Sequence, residues 1–389
     1  MKNFAGKFWS FSFYFLFFAG AVAVYNYLAL YFDEQGLPGS QIGVLMGVSS
    51  LIGIFTGPLW SLLADASHRH RLVETIAILG NVTALFLVTF VHGFLAFLIL
   101  MIVQSIFGGP IVSMVDNATM SMLGDEKEKY GNIRLGGSIG WGVAAPMIGM
   151  VVQRYGLHWN FSIYAVLLLI ALISVQQLHF GKLSKANESF SRGVRELLNN
   201  RQWIIFLTIV FIAGCGTAII SDYLFVYLQN IGTSPTLMGW AVTISIIAEV
   251  PAMYVAGRVI KRVGSHGLFT IGMAAIAIRC MLYSVNTVPW IALTIQLLQF
   301  FGFPMLWVAG VSYADENAPA GMGATVQSIF NSAFMGFGFA AGGFFGGVLI
   351  EYAGVRQMFM IFGAVILVTA LLYGLLKRKQ TVPLPVTTD

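Results

Sequence analysis

Charge is what this sequence has least of: only 10% of its 389 residues are Asp, Glu, Lys or Arg. An ordinary soluble domain carries about 25%, so a water-facing surface of usual composition is excluded. Cysteine is nearly absent as well. The two present, Cys215 and Cys280, both fall inside apolar runs. A disulfide framework is thereby disfavoured, and each reads as a small packing residue. The six histidines (His68, His70, His92, His158, His179, His266) lie at or near segment ends, which argues against a membrane-embedded metal site. No Ser/His or His/Glu cluster sits at catalytic spacing within the apolar runs, so a membrane enzyme is disfavoured. The final stretch, "KRKQTVPLPVTTD", is too short for an appended signalling domain, which tells against a sensor.

What the chain does have is apolar length. It is 58% hydrophobic with a mean hydropathy of +0.82, and its repeated runs of roughly 18 to 25 residues can cross a ~30 Å hydrocarbon core as helices. The first, Phe8 to Phe32, is too long for a signal-peptide core and lacks a small-residue cleavage pattern after it. The expected class is an all-α membrane protein of twelve transmembrane helices, over 8–32, 41–64, 72–91, 94–122, 131–152, 157–178, 202–229, 236–257, 266–285, 288–314, 321–350 and 354–376.

Basic residues orient these helices. With the N-terminus inside, eighteen of the 21 Lys and Arg fall in inner segments. Arg154 and Arg356 fall outside, and Arg279 is mid-helix. Both termini are then cytoplasmic. The +5 charge is accounted for by topology, leaving no case for nucleic-acid binding. The lipid bilayer and a small-molecule substrate are the expected partners of a monomer.

The polar stretch "HFGKLSKANESFSRGVRELLNNRQ" divides the chain into a bundle at 1–178, a cytoplasmic linker at 179–201, a second bundle at 202–376 and a tail at 377–389. Within the linker, "SRGVRELLNN" has the pattern of a short surface helix. A shift of 196 residues superimposes Tyr27 on Tyr223, Leu28 on Leu224, Tyr31 on Tyr227, Gly36 on Gly232 and Gly43 on Gly239. Shared apolar composition inflates such matches, but the helix–loop–helix boundaries also stay in step. Parallel six-helix repeats around a midplane cavity are a transporter architecture.

Ionisable groups inside membrane helices are costly unless they meet a partner or a wet cavity. Five stand out: Asp116, Arg134, Asp222, Glu249 and Arg279, with Asn26 as a neutral companion. Asp116 and Arg134 reach similar depths and can pair. Alternatively, Arg134 snorkels to the surface while Asp116 bonds nearby hydroxyls. Asn26 and Asp222 are equivalent in the repeat and suit a cavity between the halves; a buried group satisfied by backbone is the bland alternative. Glu249 and Arg279 differ in depth by about 7 Å, as a structural ion pair or as a switchable proton site.

In "RLGGSIGW", Arg134 and Trp141 lie two helical turns apart on one face, with glycines that admit a close neighbour or a ligand. Gly338, Gly342 and Gly346 form a close-packing stripe. In "SLLADASHRHR", Asp65 and Arg69 are candidates for an inner gate, where Asp65 meets a helix end or an arginine; ordinary topology signals are the alternative.

Taken together, these residues make the sequence similar to the major facilitator superfamily. More closely, it resembles the oligosaccharide–proton symporters of the lactose permease group and the phenylpropionate permease-like carriers. The helix-4 acid, the arginine 18 residues on and the "R-x-x-G-x-x-G-W" run match Asp116, Arg134 and "RLGGSIGW". The resemblance implies that acid and arginine hold sugar hydroxyls and that Trp141 stacks on the ring. It places Arg279 at the group's helix-9 arginine. The group's helix-10 histidine and proton-bearing glutamate fall here on Gln299 and Gly302, so Glu249 is the nearest substitute proton carrier.

The implied activity is proton-driven import of a sugar or glycoside by alternating access in a bacterial inner membrane. It needs no cofactor beyond the proton gradient. Asn26, Asp116, Arg134, Trp141, Asp222 and Gln299 would bind substrate, with Glu249 and Arg279 coupling it to protons. Import of an aromatic acid or nucleoside is the alternative. Drug antiport is a third reading, since "WGVAAPMIGM" only weakly resembles the antiporter signature and lacks the glycine before Pro146.

Overall fold

The computed structural model describes residues 2–178, 200–318 and 322–378. The surface helix expected within 191–200 therefore lies almost wholly outside the described residues. Among them, eleven helices are long and apolar enough to span a membrane. One of these, Pro235–Val285, has 51 residues, about twice what one crossing needs. Its backbone leaves helical geometry at Gly264, with φ 71°, where glycine escapes the Cβ clash. Read as two spans separated at Gly264, this helix is consistent with twelve crossings among the described residues.

We number the spans α1 (Gly6–Glu34), α2 (Gly39–Ser67), α3 (His70–Phe90), α4 (Phe94–Leu123), α5 (Tyr130–Tyr155), α6 (Trp159–Gln177), α7 (Arg201–Asn230), α8 (235–263), α9 (265–285), α10 (Pro289–Glu316), α11 (Thr325–Ala353) and α12 (Val355–Leu375). α7 begins at a built cap: the Asn200 side chain accepts from the backbone N–H groups of Gln202 and Trp203 at 3.0 and 3.3 Å. Such a cap satisfies donors that the first turn leaves free.

The repeat is visible in backbone detail. Gly36 and Gly232 both have φ 77°. In both, a 6→1 bond closes the helix end, Leu37 N–H to Phe32 O at 3.2 Å and Thr233 N–H to Leu228 O at 2.9 Å. Tyr31 donates to Val88 O at the end of α3, and Tyr227 to Asn286 O at the end of α9. α1–α6 and α7–α12 thus form two pseudo-equivalent bundles.

Glycine sets how the bundles meet. Along the α2–α11 seam, a Cβ at Gly43 would lie 2.6 Å from Phe344 O, and one at Gly347 would lie 2.2 Å from Gly39 O. Along α5–α8, a Cβ at Gly239 would lie 2.3 Å from Ala145 O. Backbones this close admit no side chain. The other face of α11 presents Gly338, Gly342 and Gly346 to α7. Its glycines therefore serve two interfaces, of which only this stripe was expected.

Polar contacts close the same end of the seam, where the α1–α2, α5–α6, α7–α8 and α11–α12 turns lie. Ser40 N–H donates to Glu351 Oε2 at 2.8 Å, Thr236 to Gln153 Oε1 at 2.6 Å and Gln229 to Glu34 Oε1 at 3.3 Å. At the opposite end, Lys7–Glu126, Lys129–Glu126, Asp65–His70 and Ser265–Glu316 all run within one half.

Four spans are interrupted, a feature the apolar periodicity did not reveal. α1 breaks at Asn26–Tyr27, and α4 at Gly109–Pro110. α10 tightens to a 3₁₀ turn over Gln296–Phe301 and leaves helical geometry at Gly302, and α11 widens to a π-helix over Ser332–Gly338. Pro110 supplies no N–H, which explains the break in α4. Irregular backbone at membrane depth is tolerated where it faces protein or a wet cavity, and all four breaks do.

Candidate functional site

A cavity of about 460 Å³ lies between the two bundles. Phe18 and Asn26 of α1 and Arg134, Ser138 and Trp141 of α5 line one wall; Ser221 of α7, Glu249 of α8, Arg279 of α9, Gln296 and Gln299 of α10 and Phe339 of α11 line the other. A second cavity of about 390 Å³ adjoins it and shares Asn26, Trp141, Ser221 and Phe339. Asp222 lines this second lobe.

The glycines of "RLGGSIGW" explain how α5 reaches the site. A Cβ at Gly140 would lie 2.2 Å from Phe15 O, and one at Gly136 would lie 2.8 Å from Phe11 O, so α5 packs directly on the α1 backbone. Gly137 leaves room for its own neighbour, since a Cβ there would fall 2.7 Å from the Arg134 guanidinium. That guanidinium sits 4.4 Å from the centre of the Phe18 ring and 5.0 Å from that of Tyr14. Aromatic faces attract a cation, so Arg134 is held at the cavity wall instead of snorkelling away. Trp141 tilts against Phe18 with centroids 5.9 Å apart.

Asp116 and Arg134 do approach, with Oδ1 and Nε 4.0 Å apart. The shorter bond to Asp116 comes from the Tyr14 hydroxyl, at 2.6 Å. Asp116 is not among the residues lining either cavity. Expected as a direct substrate ligand, it is a third exposed at its side chain, as Arg134 is, and it lies against Arg134 and Tyr14.

Glu249 and Arg279 are joined through a third residue. Gln299 Nε2 donates to Glu249 Oε2 at 2.9 Å, while Gln299 Oε1 accepts from Arg279 Nη1. Arg279 also donates to Gln296 Oε1 and, at 3.0 Å, to the Tyr283 hydroxyl. The depth offset read from the sequence is thus spanned by a glutamine. Every guanidinium partner here is neutral, and the nearest carboxylate is one hydrogen bond removed.

Asn26 sits at the α1 break with its Nδ2 buried and unbonded. Equivalent in the repeat, Asn26 and Asp222 meet at the second lobe. The gating candidates do not meet each other: Asp65 faces His70, at 3.7 Å, the first residue of α3, which is the helix-end alternative and not the arginine one. Arg69 flanks the start of α3 as its cap residue.

Several polar residues of the interior escaped the sequence reading. Gln296 follows the same helical face as Gln299, three residues earlier, and that spacing was the available signal. Tyr25, Gln104, Asn81 and Tyr164 form a hydrogen-bonded chain, buried in its last three members: Gln104 donates to the Tyr25 hydroxyl at 3.1 Å, Asn81 to Gln104 O at 3.1 Å and Tyr164 to Asn81 Oδ1 at 2.5 Å. Glu74 is wholly buried with neither carboxylate oxygen hydrogen-bonded; its place inside an apolar run was the signal.

Sequence comparison matches residues 8–361 to the MFS_1 like family. The chain is 24% identical to the maltose permease of Geobacillus stearothermophilus over 95% of this chain and 94% of that protein. It is 23% identical to the probable 3-phenylpropionic acid transporter of Escherichia coli (strain K12), over 88% and 90%. Among solved structures, the nucleoside transporter NupG superposes with a TM-score of 0.84 at 17% identity, covering 97% of this chain and 99% of that one. At that identity the likeness shows the shared fold.

Proposed function

This chain belongs to the MFS_1-like family of the major facilitator superfamily, a family of membrane transporters, and on that premise we propose that it imports a small polar solute, a sugar or glycoside, coupled to protons. It works as a monomer in a bacterial inner membrane with both termini in the cytoplasm. The observation that carries the reading is one cavity between the halves that holds Arg134 and Trp141 on one wall and the Glu249–Gln299–Arg279 chain on the other.

Trp141 offers an apolar face to a sugar ring, and Arg134 offers donors to its hydroxyls, with Asp116 and Tyr14 positioning the guanidinium. Asn26 and Gln299 complete the polar contacts. Glu249 takes up a proton when the cavity faces out and releases it inside. Protonation alters what it accepts from Gln299, and so how Arg279 is held. Closure of the turn-bearing end of the seam corresponds to the inward-open state. About 2.3 kcal/mol per charge per 100 mV, plus about 1.4 kcal/mol per pH unit, suffices for a several-hundred-fold gradient.

Counterflow of labelled sugars in proteoliposomes tests the substrate class. Glu249→Gln should retain counterflow and lose accumulation driven by a pH gradient. Gradient-driven accumulation at the unaltered rate in that variant would remove Glu249 from coupling.

One observation supports an aromatic acid as a second reading: among the described residues Arg279 has only neutral direct partners, so a substrate carboxylate could complete it. The relative named for 3-phenylpropionic acid agrees. Competition of maltose against phenylpropionate in one binding assay separates the two.

A further inference from the structure

We propose that a groove on the lipid-facing side of the α2–α11 seam binds one acyl chain of a membrane lipid, and that a chain seated there favours the state in which the turn-bearing end is closed. This inference rests on the membrane-transporter assignment alone and holds whichever solute is carried.

The groove has a volume of about 410 Å³. Val48 and Leu51 of α2 form one side, and Phe211 of α7 with Phe337, Ala341 and Phe344 of α11 form the other. Among the described residues no polar side chain lines it, and Leu51, Phe337 and Phe344 are exposed. Its floor is the contact between the halves: Gly47 and Ala340 both line the groove, and a Cβ at Gly47 would lie 2.8 Å from Ala340 O. The second lobe of the central cavity meets the opposite face of α2, through Ser49 and Gly53. The groove therefore opens away from the solute path.

Depth decides what fills it. Leu51 lies about 18 Å along α2 from Gly39, and Phe344 about 14 Å along α11 from Ala353, at ~1.5 Å per residue. In a hydrocarbon core of ~30 Å, both stand among acyl chains. Water finds no hydrogen-bond partner in such a groove, and leaving it empty forfeits dispersion contacts. Apolar cavities of ~150 Å³ already take up benzene, so this one has room for a stretch of lipid chain. A chain lying on the floor touches Leu51 of one half and Phe344 of the other. It loses one set of contacts when the halves part. A ligand shifts a conformational equilibrium by its difference in affinity for the two states, so occupancy favours the closed seam.

The experiment reconstitutes the full chain in phosphatidylcholine vesicles doped with a phosphatidylcholine that carries a mid-chain diazirine, and maps the photoproducts by mass spectrometry. Leu51, Phe337 and Phe344 should be labelled roughly fivefold more than Val166 of α6 and Val365 of α12, which are exposed within their own spans. Ala341→Phe, and separately Val48→Phe, should bring the groove down to that control level. Labelling of Val166 and Val365 should stay unchanged, which also shows that the variants fold. Groove labelling equal to the controls in wild type means ordinary bilayer contact and overturns the site. Labelling below them means that another protein surface covers the groove, and overturns it too. Spin labels at Gln35 and Asn230 then test the conformational half. Replacing oleoyl with branched phytanoyl chains, which are broader, should raise the separated population roughly threefold in wild type and leave Ala341→Phe unmoved. An equal response in both proteins, or none in wild type, overturns the link between chain and seam.

Discussion

Gln299 stands between Glu249 and Arg279, donating to the carboxylate at 2.9 Å through one side of its amide and accepting from the guanidinium through the other. An amide in this position transmits a change at Glu249 to Arg279 without direct contact. Replacing Gln299 by Leu leaves both neighbours short of a partner, at a cost of about 1–3 kcal/mol for each buried unsatisfied group. We expect a lower thermal midpoint in detergent and weaker substrate binding. Gln299→Glu should instead give Arg279 a direct carboxylate and shift the pH dependence of uptake. An unchanged pH profile would place Gln299 outside the coupling chain.

The seam makes a conformational prediction. Bulky substitution at Gly43 or Gly239 inserts atoms where carbonyl oxygens lie 2.6 and 2.3 Å from a Cβ position. The halves must then part at the turn-bearing end. Spin labels at Gln35 and Asn230 should move apart by several ångströms in Gly239→Leu, with transport reduced at least tenfold. An unchanged distance distribution would show that the seam yields locally.

Within the first bundle, Gly140→Val forces a side chain onto Phe15 O. Overpacking of this kind costs typically 1–3 kcal/mol, and displacement of α5 carries Arg134 and Trp141 with it. Both thermal stability and substrate affinity should fall. Stability lost with affinity unchanged would separate the α1–α5 contact from the binding wall.

At the end that carries the N-terminus, Glu126 bonds Lys129 and Lys7, and these bonds pull its carboxyl down from 4.5 to about 2. A depressed carboxylate contributes stability above its unfolded value and loses that contribution as pH falls through the folded value. The stability difference between wild type and Glu126→Gln should therefore be constant from pH 8 to pH 5 and shrink only below about pH 4.5, vanishing toward pH 2. A difference that stays constant from pH 5 down to pH 2 would mean that Glu126 titrates normally.

The sequence by itself determined the crossings, the two-fold repeat and the short roster of ionisable groups, because lipid permits few charges and water-soluble turns mark every boundary. Even the pairing of Arg134 with Asp116 followed from depth along two helices. Depth is a one-dimensional quantity, however, and azimuth is not. Only the tertiary structure decided that Tyr14 is the closer partner of Asp116, that Gln299 bridges Glu249 to Arg279, and that Asp222 faces a second lobe. The breaks in α1, α4, α10 and α11 turn side chains by amounts that apolar composition does not encode. Glycines such as Gly43 and Gly347 signalled close approach, but not of what: which backbone arrives depends on how twelve helices share one volume.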